Sequence, residues 1–154
     1  MAAASLLAAG AKADTAESST DPIGDLLGSV AAKVERPFMA TFGLLATLYH
    51  GGHGMNDRDS LGCKVVPMRT AAVDGVAVPR HSLLFIKETV GLKMADGRLH
   101  DGYWYASDVG GAIRRGRIDL FTGPGAKSMG PLAHLNLATL TVAKVGQFHG
   151  CPTA

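Results

Sequence analysis

Gly102-Tyr-Trp-Tyr-Ala-Ser-Asp108-Val-Gly-Gly-Ala-Ile-Arg-Arg-Gly-Arg-Ile-Asp119-Leu-Phe-Thr-Gly123 is the stretch on which the fold turns. An aromatic run with the alternation of a strand ends in a carboxylate. A glycine-rich basic turn follows, and then a second carboxylate flanked by apolar residues. A carboxylate within an apolar strand is costly to bury unless it is paired or neutralised. Two of them across one turn point to a shared cleft. Strand alternation places Asp119 and Phe121 on one face and Ile118 and Leu120 on the other, where the last two anchor in a core.

Working outward, the chain reads as a series of short strands. Phe38–Tyr49, Cys63–Val66, Arg69–Val73, Ser82–Lys87, Gly102–Ser107, Arg117–Phe121 and Leu137–Val145 are the strand candidates. Gly91–His100 is a hairpin region signalled by Asp96-Gly97. Pro124–Asn136 is irregular, with one helical turn. Close-set strands with turn signals indicate a small β-barrel. No repeat of fixed period is visible. Residues 1–20 form an Ala/Ser/Thr-rich tail or the remnant of a signal peptide. Residues 21–37 form a short amphipathic helix and linker, opened by Asp21 as cap and Pro22 in the first turn. Residues 38–154 form the barrel domain.

Composition bounds the function. The 154 residues suffice for one domain with a core, and 47% hydrophobic against 18% charged residues marks a folded chain. Twenty glycines suit frequent tight turns. A net charge of +2, with no basic stripe interleaved with aromatics, argues against nucleic acid as a partner. The apolar run Ala2–Gly10 is too short to span a bilayer. The two cysteines, Cys63 and Cys151, are either a disulfide of an oxidising compartment or two ordinary buried thiols. Gly123-Pro-Gly-Ala126-Lys127-Ser128 lacks the glycine that a phosphate loop needs before its lysine. His50 and His53 have no further ligands at metal-binding spacing. No metal or other cofactor is expected.

Asp108-Val-Gly-Gly-Ala-Ile-Arg-Arg-Gly-Arg-Ile-Asp119 closely resembles the signature of the 3D (Asp-Asp-Asp) domain, D-T-G-G-A-I-K-G-x-R-I-D. Val109 stands at the usual threonine and Arg114 at the usual lysine. Ala72-Val73-Asp74-Gly-Val-Ala-Val78-Pro79 is similar to the segment carrying the family's first aspartate, with Gly75 in place of a proline. Ala46-Thr47-Leu48-Tyr49 resembles the family's opening A-T-x-Y strand, and Ala40-Thr41-Phe42 competes for that place. The resemblance covers about residues 38–147.

It implies a mainly β, six-stranded double-psi β-barrel with short helices, preceded by the N-terminal helix. It implies a lytic transglycosylase-like action on peptidoglycan glycan strands in the periplasm or cell envelope, or secreted beyond it. A non-catalytic glycan-binding module, or a structural envelope or phage-like component, is the alternative on the same barrel. Asp119 is then the general acid and base, with Asp108 and Asp74 as its electrostatic and hydrogen-bonding partners. Two neighbouring carboxylates do not both ionise easily, which holds one of them as the protonated acid. Tyr49, Tyr103, Gly110, Gly111, Arg114, Arg117 and Phe121 are the candidate substrate-binding residues. Aromatic faces stack on sugars, and arginines hold carboxylates of a peptide stem. Arg115 is read as a solvated surface residue. A single domain offers a shallow groove, which a homodimer would deepen.

Overall fold

The computed structural model describes residues 39–52, 57–114 and 116–154. The expected N-terminal tail and helix, together with His53 and Arg115, lie outside the described residues. Six strands follow in order: β1 (Thr41–Gly51), β2 (Thr70–Val73), β3 (Ser82–Ile86), β4 (Tyr103–Val109), β5 (Arg117–Pro124) and β6 (Thr139–Gln147). They close into a barrel in the order β1-β5-β2-β4-β3-β6. Closure gives every strand two neighbours, which removes the unpaired edges that an open sheet leaves. β1/β5 and β2/β4 pair in parallel, and the other four contacts are antiparallel.

This order has a symmetry that the sequence does not display. Exchanging β1, β2 and β3 for β4, β5 and β6 returns the same neighbours with the same pairing sense. The barrel is thus built of two intertwined halves about a pseudo-two-fold axis, the double-psi arrangement. The axis passes between β2 and β5, where Ala72 faces Asp119.

Alternation fills the barrel as the sequence predicts. Trp104 and Ala106 of β4 and Ile118 and Leu120 of β5 are all fully buried, and they join Leu84, Ile86, Leu140 and Val142 in one core. The Trp104 indole N–H is satisfied by the Thr89 hydroxyl at 3.0 Å, as a buried donor requires. A 3₁₀ helix, Ala126–Leu135, with Pro131 inside it, covers one side of the barrel by burying Leu132 and Leu135.

One expectation changes. Cys63–Val66 is not a strand: only Lys64 makes an isolated bridge, to Arg58. Just after it the chain turns through Pro67 and Met68, whose φ of 54° is incompatible with continuing an extended strand. The Asp96-Gly97 hairpin forms in minimal size, with Lys93 bridged to Leu99 and Gly97 at a φ of 85°. Of the two readings for the cysteines, the disulfide is the one found: Cys63 and Cys151 are joined, with Cα atoms 5.4 Å apart. Bridging residues 88 apart removes about 4–5 kcal/mol of chain entropy from the unfolded state in the loop-closure account.

Candidate active site

β5 carries Asp119 between two strands. It pairs with Thr47 of parallel β1 on one side and with Ala72 of antiparallel β2 on the other. Because Ile118 and Leu120 point into the core, Asp119 faces outward with Arg117 and Phe121. It is half-buried there, and its Oδ1 is buried with no hydrogen-bond partner. Burial pushes its carboxyl above the ordinary carboxylate range. The Thr47 hydroxyl opposes this, and the neighbouring Asp108 charge adds to it.

Asp108 reaches the same region through a local irregularity. Simple alternation along β4 would aim it inward with Trp104 and Ala106. Between Ala71 and Ala72 of β2, however, the partner steps from Ala106 to Asp108, so Ser107 is an extra residue. Such a bulge turns the following side chain out of phase. Ala72 consequently pairs with Asp108 on one side and Asp119 on the other. At a strand spacing of about 4.8 Å, the two Cα atoms are roughly 10 Å apart, with one methyl group between them.

Asp108 is well held. Its Oδ1 accepts the Ser60 N–H at 3.0 Å and its own neighbour's N–H, from Val109, at 2.9 Å. Its Oδ2 accepts a long bond from the Tyr49 hydroxyl at 3.4 Å. Tyr49 packs on Phe121 with ring centroids 5.1 Å apart. Burial, reinforced by the charges of Asp108 and Asp119, raises the Tyr49 phenol well above its usual range. It therefore remains a neutral hydrogen-bond donor at any physiological pH. By pairing register, Thr47 (opposite Asp119 of β5) is the counterpart of Asp108 (opposite Ala72 of β2). The site thus straddles the pseudo-two-fold axis.

Asp74 takes a different part. Its Oδ1 accepts the N–H groups of Val76, Ala77 and Val78 at 3.0, 2.9 and 3.4 Å, an aspartate turn completed by Gly75 at a φ of 74°. Its Oδ1 thus folds the turn after β2, while its Oδ2 is buried with no hydrogen-bond partner.

Asp74 also borders a hollow of about 540 Å³ with Gly110, Gly111, Ile113 and Arg114. A Cβ on Gly110 would lie 2.6 Å from Ile113 Cγ1, so glycine lets that turn close. A second hollow, of about 650 Å³, lies on the Phe121 side and is lined also by His50, Lys64, Val65 and Pro67. Asp119 lines neither hollow directly.

Tyr103 is not part of this group. It begins β4, five residues and about 16 Å of strand before Asp108. There it packs on Phe85 at 5.5 Å, and its carbonyl accepts from Arg69. Arg117 is exposed on the Asp119 face, and Arg114 is exposed at the rim of the smaller hollow. Sequence reasoning missed Thr47, Asp59 and Ser60. Asp59-Ser60-Leu61-Gly62 carries a turn signal, but nothing in it announces contact with a residue 48 positions away. Among the described residues, no group of three or more His, Cys, Asp or Glu side chains is placed to hold a metal ion. No described helix is long and apolar enough to cross a membrane.

Fold and site together define a double-psi β-barrel protein with an acidic, axis-straddling cluster of two carboxylates and a tyrosine. Residues 69–132 match the family model of the 3D domain. Among solved structures the chain is similar to MltA from Escherichia coli, described as having a unique lytic transglycosylase fold (23% identity over 60% of this chain and 28% of that one, TM-score 0.43). It is also similar to E. coli MltA with bound chitohexaose (22% identity, 58% and 27% covered, TM-score 0.42). A third is the lytic transglycosylase LtgG of Burkholderia pseudomallei (25% identity, 61% and 27% covered, TM-score 0.40). The chain spans little more than a quarter of the length of each of these. No curated protein matches it.

Proposed function

We propose that this chain cleaves the glycan strands of bacterial peptidoglycan by the lytic transglycosylase reaction, with Asp119 as both acid and base. The observation that carries this reading is a half-buried carboxyl with one unpartnered oxygen, its pKa raised by burial and by a second carboxylate. Such a group keeps a proton to give away at a pH where an exposed aspartate has lost it.

In the proposed step the Asp119 proton passes to the oxygen linking N-acetylmuramic acid to N-acetylglucosamine, and the C1–O bond breaks. The muramyl C6 oxygen closes onto C1, and its proton returns to Asp119. The product is a 1,6-anhydro sugar, and no water is consumed. Asp108, held by Ser60 and Tyr49, supplies negative charge beside the positive charge that develops at C1. Phe121 and Tyr49 offer an aromatic wall, and Arg117 and Arg114 offer cations for the lactyl group or the peptide carboxylates. The Cys63–Cys151 disulfide supports a cell-envelope or secreted setting, where thiols are oxidised.

The test is product analysis. Purified protein incubated with isolated peptidoglycan should release anhydromuropeptides identified by mass spectrometry, and Asp119→Asn should release none while keeping its circular dichroism spectrum. Reducing-end muropeptides in their place would make it a hydrolase. Sedimentation with insoluble walls and no soluble product would make it a glycan-binding module.

A further inference from the structure

The loop Asp59–Cys63 makes more contacts than a simple connection needs. Asp59 is buried, at 7% exposure, on an otherwise polar stretch. Its Oδ1 accepts the N–H groups of Leu61 and Cys63 at 3.0 and 2.9 Å, and its backbone N–H donates to the Cys63 carbonyl at 2.8 Å. One side chain thus winds the loop tightly on itself. Cys63 is in turn bonded to Cys151, which fastens the loop to the C-terminal segment. What the loop presents, so wound, is the Ser60 N–H to Asp108 Oδ1, and the Ser60 hydroxyl to the Ser107 carbonyl at 3.3 Å. Both contacts fall on the bulge that brings Asp108 to the site.

We propose that Asp59 is a positioning residue: by capping the disulfide-tied loop, it sets the Ser60 amide that fixes the Asp108 carboxylate beside Asp119. The claim about catalysis rests on the reading of Asp119 given above, and the claim about Asp108 does not. A carboxylate left to turn freely at a bulge would spread its charge over several positions. Donors from the loop and from Val109 hold one oxygen and leave the other to Tyr49. Asparagine at position 59 retains a carbonyl oxygen that accepts the same two amides, and alanine does not.

The experiment uses the full chain, isotopically labelled. In the wild type, the Ser60 amide proton should move downfield as Asp108 ionises, and Asp108→Asn should remove that response. Asp59→Asn should preserve the response, and Asp59→Ala should lose it. In the product assay, Asp59→Ala should lower kcat about tenfold with KM unchanged, and Asp59→Asn should restore it. If Asp59→Ala does not fold, Cys63→Ser/Cys151→Ser tests the same loop. A Ser60 amide that follows Asp108 equally in the wild type and in whichever of these variants folds overturns the proposal. If no anhydromuropeptide forms even in the wild type, the catalytic reading fails, while the amide measurement still decides whether Asp59 positions Asp108.

Discussion

Thr70 of β2 and Asp119 of β5 are polar side chains of the two strands that pair across the axis. Their environments differ in one respect. Thr70 is sealed, and its hydroxyl accepts the Val66 N–H at 3.0 Å, so the position is satisfied. Asp119 is half open and has an oxygen with no partner. Two strands paired across the axis thus carry a closed structural position on one and an unsatisfied acidic one on the other. Incomplete hydrogen bonding of a buried polar group costs stability. Where such a defect sits at an opening beside a second carboxylate, it is the mark of a functional position.

The largest effect that would sharpen this contrast is at Asp119. Asp119→Asn should lower turnover by about 10³-fold, the usual scale for removing a general acid. It should also raise the urea midpoint at pH 7, because the ionised form of a carboxyl with a raised pKa is a penalty above that pKa. A loss of activity accompanied by a lower midpoint would mean that Asp119 is a structural residue like Thr70. Next comes Thr70→Val, which strands the Val66 amide and should cost about 1–3 kcal/mol in denaturant unfolding. The activity per folded molecule should persist, and a specific loss of kcat there would break the division between the halves.

Asp108→Asn should be milder, about tenfold in kcat, an effect of about 1.4 kcal/mol. Removing its charge should also lower the Asp119 pKa, so the falling limb of the pH–rate profile should move to lower pH. An unmoved limb would separate the two carboxylates. The smallest effect is in stability against pH at the Tyr103 end of β4. There His100, 1% exposed, donates from Nε2 to the Met68 carbonyl at 2.6 Å and accepts the Gly102 N–H on Nδ1 at 2.8 Å. Both ring nitrogens are committed to the neutral form. Burial is the main cause of a pKa below the usual histidine value; Arg69 also lowers it, and Asp101, 4.0 Å away, works against this. A depressed pKa contributes stability above the unfolded value of about 6.5, lost as pH falls through the folded value. Asp119 has the opposite sign, since its raised pKa favours the folded state at lower pH. The urea midpoint of Asp119→Asn should therefore fall more steeply than that of the wild type as pH drops from 7 to 4. Equal slopes would deny the opposition of the two groups.

Much of this was readable along the chain. Period-two alternation around Ile118 and Leu120 assigned the inward and outward faces of β5, and the glycine-rich turn between two aspartates carried the family signature. The turn that Asp74 caps was not legible, because an aspartate that caps a turn and one that serves a cleft look alike in sequence. The distance of Tyr103 from Asp108 was not legible either, because it depends on where β4 begins. The disulfide was left open, since spacing alone does not tell whether two cysteines meet.

The chain by itself determined that this is a small β-barrel with Asp119 on an outward face, because local alternation and turn chemistry act between near neighbours in sequence. Only the tertiary structure decided that Asp108 joins it, that Tyr49 and a loop at Ser60 hold Asp108, and that the two halves are symmetric. Those facts depend on a one-residue bulge and on pairings between distant strands, and register across a sheet is set by packing that no local pattern encodes.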